Sequence, residues 1–186
     1  MKYVGAGFIL FSSDLTHIML VCESKTKKWG FPKGHAEPID CEDSLRTAVR
    51  EMTEETGITE NNYKVFDRAF KIPNTSHTYV FRYAQMNSRR YRSNGVKPFR
   101  CSEISEIRWV NINKLLFDSA TIEKYVNAGN KYVRSWVAMV LKKSNAKAMH
   151  IYNEITTPVF EGLIDDCLTT LPLDESMSST GIVTCP

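Results

Sequence analysis

One segment, residues 42–58, constrains the fold of this chain more than any other. Its apolar side chains recur at three- and four-residue spacing, which is the period of a helix that packs one face on a core. They are Leu45, Ala48, Val49 and Met52. Gly57 follows at the position where many helices end in a left-handed residue. The pattern predicts a helix over residues 42–56, packed against another layer of the fold.

The same helix carries three glutamates, Glu51, Glu54 and Glu55. Their spacing places the carboxylates on one face of the helix, where like charges repel each other. A hard divalent cation such as Mg²⁺ or Mn²⁺ would reverse this repulsion, since it prefers oxygen ligands. A solvated face without a metal is the alternative. The glycine-containing segment just upstream, residues 29–37, favours the metal because its backbone can approach an ion or an anion closely.

The rest of the chain alternates strand-like and helical segments, an order that favours a mixed sheet with helices on its faces. Strands are predicted over residues 2–11, 16–23, 63–72, 78–86 and 104–111, and residues 25–38 are predicted as a loop. Helical segments are predicted over residues 113–117, 121–128, 132–143 and 159–168. Trp136 recurs at helical spacing with apolar residues, which favours a core position over stacking on a base.

Charge divides the chain into a basic body and an acidic end. Residues 1–147 contain all 24 Lys and Arg and 15 acidic residues, a net charge of +9, whereas residues 148–186 carry −6. A basic body suits a polyanion such as a nucleotide, an inositol phosphate or RNA, or else a surface on which the acidic end packs. We expect one domain over residues 1–147, followed by an acidic helix and tail over residues 148–186.

The cysteines and the first residues bear on the compartment. The five cysteines are widely separated and form no Cys-x-x-Cys pair, which argues against a disulfide framework and a zinc site. No apolar run approaches the roughly 18 residues that a membrane-spanning helix needs. The first residues lack the apolar stretch of a secretory signal. We therefore expect a cytoplasmic protein.

Residues 34–58 resemble the signature box of the Nudix hydrolases, written G-x5-E-x7-R-E-U-x-E-E-x-G-U with U aliphatic. The helical half, which begins at Glu42 and includes Arg50, matches without a gap. The loop half departs from the box, because seven residues rather than five separate Gly34 from Glu42. Asp40 has the shorter spacing but breaks the helical half. We interpret the difference as a two-residue insertion in the loop.

The resemblance implies an α/β/α sandwich with a mixed sheet, to which this chain adds C-terminal helices. It also implies Mg²⁺- or Mn²⁺-dependent cleavage of a diphosphate bond in a nucleoside diphosphate linked to another group. By family position, Glu54 and Glu55 are the main metal ligands and act in catalysis, and Glu51 is a third ligand. The carbonyl of Gly34 or its neighbour is a weaker candidate ligand.

Two further roles follow from the same resemblance. Arg50 is expected to orient a carboxylate, either that of Glu42 or that of Glu51. Residues 101–110 resemble the corresponding segment of the messenger-RNA decapping Nudix enzymes, in which a glutamate outside the box serves as a base or a ligand. We expect Glu103 rather than Glu106 in this role. A pair of exposed charges at a strand edge is the alternative for both.

Basic residues near the box bear on the substrate. Residues 29–34 are similar to a run found in both decapping enzymes and diadenosine polyphosphate hydrolases, and Lys33 within it is a candidate contact to a phosphate. Residues 89–100 hold five further basic residues, with two aromatic residues among them. This composition suits RNA or a polyphosphate as ligand. A solvated loop without a ligand is the alternative. These candidate substrate contacts are Arg89, Arg90, Arg92, Lys97 and Arg100.

Three functions therefore stay open at the level of sequence. The first is hydrolysis of a dinucleoside polyphosphate or a related nucleotide, and the second is the same chemistry on capped RNA. The third is a non-catalytic nucleotide-binding module. The intact acidic set argues against the third, because a protein that only binds has no need for three mutually repelling carboxylates.

Overall fold

A seven-stranded mixed sheet forms the centre of the computed structural model, which describes residues 2–73, 77–88 and 102–148. Its strands are β1 (Lys2–Phe11), β2 (His17–Glu23), β3 (Trp29–Gly30), β4 (Lys33–His35), β5 (Tyr63–Pro73), β6 (His77–Met86) and β7 (Ile104–Asn111). The main path through the sheet runs β3-β2-β1-β6-β5, while β4 pairs with β1 and β7 pairs with β2. The β1–β6 pair is parallel, whereas the other pairs among the described strands are antiparallel.

Within the described residues, four α-helical segments accompany the sheet. They are α1 (Ser44–Thr56), α2 (Ile112–Phe117), α3 (Ser119–Ile122) and α4 (Lys131–Ala148), and a π-helical turn over Glu123–Asn127 continues α3. The prediction of a plain loop over residues 25–38 is wrong, because β3 and β4 lie within it. These strands have two and three residues, which is too short for an alternating pattern to stand out in a sequence.

Both faces of the sheet are covered, as an α/β/α sandwich requires. On β1, Phe8 and Leu10 join the cluster that contains Ala48 and Met52 of α1. The intervening Ile9 and Phe11 join the opposite cluster, which includes Trp136 of α4. Successive residues of a strand point to opposite faces, so a strand buried on both sides is apolar throughout. Trp136 is 1% exposed, which confirms the predicted core position.

Helix α1 has well-defined ends. The side chain of Asp43 accepts a hydrogen bond from the amide of Leu45 (2.8 Å), which satisfies a donor that the first turn leaves unpaired. At the other end Gly57 has a φ of 72°, the left-handed conformation predicted for it. The helix starts two residues later than predicted because Cys41 and Glu42 have positive φ values of 53° and 60°, which a helix excludes.

Some of the predicted features fall outside the described residues. They are the basic loop of residues 89–100, the helix predicted over residues 159–168, and the acidic end that follows α4. In the described part of the chain, no helix combines the length and the hydropathy needed to cross a bilayer.

Candidate active site

The acidic face of α1 lies against β4, and Gly34 is the closest point of contact. A Cβ atom at Gly34 would overlap the carboxylate of Glu51, so only glycine leaves room for this side chain. Strand β4 is in turn fixed to β1, where Gly5 pairs with His35 and Gly7 pairs with Lys33. The sheet therefore holds the glycine segment and the helix in a fixed relation.

Arg50 forms ion pairs with several carboxylates where α1 lies against β4. Its guanidinium lies 2.9 Å from an Oε1 of Glu51, 3.0 Å from Oε2 of Glu54 and 3.6 Å from Oε1 of Glu37. It also donates to the backbone carbonyl of His35 (2.8 Å), which ties α1 to the end of β4. Only 17% of the Arg50 side chain is exposed, so its pairs are better shielded from water than surface ion pairs.

Asp40 holds the other side of the Arg50 guanidinium, where Glu42 or Glu51 was expected. Its Oδ1 and Oδ2 accept from Nε and from a terminal nitrogen of Arg50, each at 3.1 Å, in a two-point pairing. Asp40 is 2% exposed, and Thr47 Oγ1 donates to it at 2.6 Å. Hydrogen bonds from Arg50 are the main reason that the pKa of Asp40 is lowered to about 2.

This pairing corrects the interpretation of the box. Five residues separate Gly34 from Asp40, so Asp40 occupies the glycine-plus-six position of the Nudix pattern. Glu42 is exposed, and Arg50 turns to Asp40 instead. The two extra residues therefore lie between Asp40 and α1, where Cys41 and Glu42 form a left-handed turn. The expectation that Arg50 orients Glu51 agrees with their 2.9 Å contact, whereas the one for Glu42 is wrong.

Glu55 is the most buried of the three glutamates on α1. It is 6% exposed, and one of its oxygens accepts from the backbone N–H of Lys33 at 3.0 Å. Burial raises the pKa of Glu55 to about 8, against the opposing effect of the Lys33 charge, and the charges of Glu51 and Glu103 raise it further. Burial likewise raises the pKa of Glu51, while Arg50 lowers it.

The donor set suits a divalent cation. Glu55 is a buried carboxyl with a raised pKa, and Glu51 is a second shielded carboxyl on the same helix. A nearby positive charge stabilises the ionised form of each. Their oxygen atoms are the ligand type that Mg²⁺ and Mn²⁺ prefer. Among the described residues, no group of three or more His, Cys, Asp or Glu side chains is already gathered as a metal cluster. Glu51 and Glu54 are instead each paired with the guanidinium of Arg50.

A wall of aromatic and basic side chains borders the acidic face. The Nζ of Lys33 lies 3.5 Å from Glu23 and 5.9 Å from the ring centroid of Tyr132. The rings of Tyr132 and Tyr79 are 5.0 Å apart, and the Tyr79 hydroxyl is hydrogen-bonded to Nε2 of His35 (3.1 Å). The sequence does not predict that these aromatic residues lie together, because they come from β4, β6 and α4 and no local spacing joins them.

Glu103, which directly precedes β7, and Glu106 within β7 differ in their surroundings. Glu103 is exposed, and its charge contributes to the raised pKa of Glu55. Its backbone carbonyl accepts from the amide of Ser24 at 2.6 Å, which fixes the start of β7 beside the end of β2. Glu106 is paired with the guanidinium of Arg108 on the same strand. Of the two, Glu103 is the one whose charge contributes to the raised pKa of Glu55.

Comparison with known proteins places the fold. The family model of the NUDIX domain matches residues 1–132. The chain resembles a C. elegans Ap4A hydrolase binary complex with a TM-score of 0.51 and 22% identity, over 74% of this chain and 98% of the other. It resembles a MutT protein from Methanosarcina mazei Go1 with a TM-score of 0.51 and 20% identity, over 77% and 96% of the two chains. No curated protein matches the sequence significantly.

The family match and the site agree with each other. The matched region contains α1, the β4 contact at Gly34 and the Asp40–Arg50 pair. It also contains Glu103 and, on β7, Glu106. The chain thus belongs to the NUDIX family and is a Nudix pyrophosphohydrolase, an enzyme that acts on phosphoric anhydride bonds.

Proposed function

We propose that this enzyme hydrolyses a dinucleoside polyphosphate or a related nucleotide with the help of Mg²⁺ or Mn²⁺. The observation that carries the proposal is the acidic face of α1, in which buried Glu55 and shielded Glu51 lie beside Gly34 and are bordered by the aromatic and basic wall. We assign catalysis to residues 1–147, and we propose a cytoplasmic location, with the acidic end as an appendage.

In this proposal Glu51, Glu54 and Glu55 hold the cation, and the Gly34 carbonyl remains a weaker candidate ligand. The bound ion would polarise a phosphoryl oxygen and lower the pKa of a bound water. Arg50 keeps Glu51 and Glu54 side by side, and Asp40 keeps Arg50 in place. Burial of Glu55 favours tight binding, since an ionised carboxylate in that position needs a positive partner.

Proton transfer is assigned to Glu103. The residue is exposed at the start of β7, so a water molecule can reach it, and it is close enough to Glu55 to affect its pKa. Within the described part of the chain, no cation is paired with Glu103 as Arg108 is with Glu106, so its carboxylate can accept a proton.

The wall supports a nucleotide as substrate. A partly exposed ring such as Tyr79, flanked by Tyr132 and His35, offers a surface on which a nucleobase can stack. Lys33 Nζ lies near Tyr132, and its charge also lowers the pKa of Glu55, so it can pair with a phosphate of the same molecule. A base on the wall would thus place its polyphosphate next to α1.

The test is turnover of a nucleotide panel, including diadenosine tetraphosphate, with Mg²⁺ and with Mn²⁺. We expect metal-dependent hydrolysis that falls by about 10²–10³-fold or more in Glu54→Gln and in Glu55→Gln, because the amide removes the charge and keeps the shape. Glu60→Gln, an exposed acid outside the site, is the matched control and should keep full activity. Turnover near that of the unmodified protein in either site variant would refute the assignment.

Capped RNA is the second candidate substrate. The specific observation in its favour is the sequence of residues 89–100, whose basic and aromatic residues suit a longer nucleic acid. Parallel assays on diadenosine tetraphosphate and on cap-labelled RNA separate the two. Release of methylated guanosine diphosphate from long RNA alone would replace the nucleotide proposal with decapping.

A further inference from the structure

A second polar cleft lies on the α1 side of the sheet, between the first turn of α1 and the outer strands β5 and β6. It encloses about 530 Å³. Tyr3, Ala69 and Val80, which line it, belong to the same core layer as α1. Arg68, Lys71 and Arg82 line it as well, and none of them contributes to the acidic face of α1.

Arg82 is the half-buried anchor of this cleft. It lies in the middle of β6, between Phe8 of β1 and Ala69 of β5. One terminal nitrogen donates to Ser44 Oγ at a long 3.3 Å, and the buried Nε has no hydrogen-bond partner among the described residues. The partly shielded guanidinium of Arg82 carries a desolvation cost, which an oxyanion bound at its terminal nitrogens would offset.

Lys71 extends the positive charge across the strand pair. It pairs in register with Val80, two residues before Arg82, so the two cations are diagonal neighbours on one face. Asp67 and Glu42 also line the cleft, but within the described residues neither Lys71 nor Arg82 forms an ion pair with them. The charges of Lys71 and Arg82 are therefore not taken up by these two carboxylates.

The first turn of α1 adds little by itself, because Asp43 already caps it. Its contribution is the hydroxyl of Ser44, which faces the Arg82 guanidinium. A guanidinium, an ammonium and a hydroxyl around one space suit a ligand with at least three acceptor oxygens, which a phosphate has and a carboxylate lacks.

We propose that this cleft binds a phosphate group, with Arg82 and Lys71 as its principal contacts. The site is separate from the acidic face of α1 and does not depend on the proposed function. Its ligand is either a small phosphate compound or a phosphate in a nucleic-acid backbone, and both would use the same contacts.

Titration calorimetry on the metal-free, full-length protein tests the proposal, with sodium pyrophosphate as the first probe and a short single-stranded RNA as the second. We expect Lys71→Glu to weaken binding by about tenfold or more, since it reverses a contacting charge. Lys64→Glu is the matched control, because Lys64 is exposed on the same strand and does not line the cleft. Arg82→Gln, with its fold checked by thermal unfolding, should weaken binding similarly, and Glu55→Gln should not.

The two probes identify the source of the phosphate. Pyrophosphate binding that is lost in Lys71→Glu supports a small phosphate ligand, and RNA binding with the same sensitivity, without pyrophosphate binding, supports a nucleic-acid backbone. Equal effects of Lys71→Glu and Lys64→Glu, or no binding of either probe, would overturn the proposal. Because no metal is present and Glu55→Gln is included, this result is independent of whether the α1 glutamates act in hydrolysis.

Discussion

Arg50 and Asp40 form the residue pair on which the acidic face depends. The carboxylate of Asp40 is nearly fully buried and is bonded to Arg50, to Thr47 and to the amide of Glu37 (2.9 Å). Loss of one partner of a buried ion pair leaves an uncompensated charge, which costs more than the pair itself contributes. We therefore expect Asp40 to matter for both folding and catalysis.

The first prediction compares Asp40→Asn with Glu42→Gln. Asp40→Asn should lower the free energy of unfolding by about 3 kcal/mol, because it leaves the shielded Arg50 charge without its two-point partner. Glu42→Gln should change it by less than about 0.5 kcal/mol, because Glu42 is exposed. Urea unfolding of both variants measures the difference. A larger loss in Glu42→Gln would restore the original interpretation of the box.

A second prediction concerns the buried carboxyl of Glu55 in the absence of metal. Its pKa is about 8 in the folded protein and 4.5 without that environment, so the folded state binds the extra proton between these values. The free energy of unfolding should therefore fall as pH rises from about 4.5 to 8, by at most about 1.4 kcal/mol per pH unit. Below about pH 4.5 the Glu55 carboxyl is protonated in both the folded and the unfolded state, so its stabilising effect is fully present there.

Thermal unfolding at several pH values, after removal of divalent ions, measures this slope. Glu55→Gln should flatten the slope in that window, and Glu60→Gln, which changes an exposed acid, should not. Saturating Mg²⁺ should also reduce it, because a bound cation favours the ionised carboxylate. An unchanged slope in Glu55→Gln would show that the carboxyl titrates normally.

At the scale of elements, the contact between β4 and α1 positions the site. The sheet fixes β4, the apolar side of α1 packs on β1 through Ala48 and Met52, and the glutamates then face Gly34. The carboxylate of Glu51 occupies the space that a side chain at Gly34 would fill. Any larger residue would have to displace Glu51 or move the strand.

Gly34→Ala is the third prediction. The added methyl group overlaps the Glu51 carboxylate, so we expect turnover to fall by about 10²-fold from misplacement of a metal ligand. Metal affinity should fall with it, while circular dichroism should show that the fold is retained. Full activity in this variant would mean that Glu51 has no required position.

The sequence predicts the larger elements because each has its own periodic pattern. The strands β1, β5, β6 and β7 and the helix α1 lie within one or two residues of their predicted bounds. The short β3 and β4 strands could not be predicted, since their form depends on pairing with distant strands rather than on local residue preferences. The pairing of Asp40 with Arg50 could not be predicted either. The sequence shows the spacing of Asp40 from Gly34, but the pairing depends on the left-handed turn at Cys41 and Glu42 in the folded chain.

At the scale of the whole molecule, the site combines parts from several elements. Helix α1 brings the glutamates, β4 brings Gly34 and Lys33, and β6 and α4 bring Tyr79 and Tyr132. The box predicted the first group, because its residues are close in sequence. The aromatic wall emerges only when α4 packs on the sheet, where Asn130 caps its first turn through the amides of Tyr132 (3.0 Å) and Val133.

The central claim is that the glutamates of α1 are held together for a divalent cation. Crystals soaked in Mn²⁺, with anomalous diffraction measured for the unmodified protein and for Glu54→Gln, test it directly. We predict a manganese peak bonded to oxygens of Glu51, Glu54 and Glu55, which is weakened or lost in the variant. An empty acidic face at saturating Mn²⁺, or hydrolysis that a chelator leaves unchanged, would contradict the account.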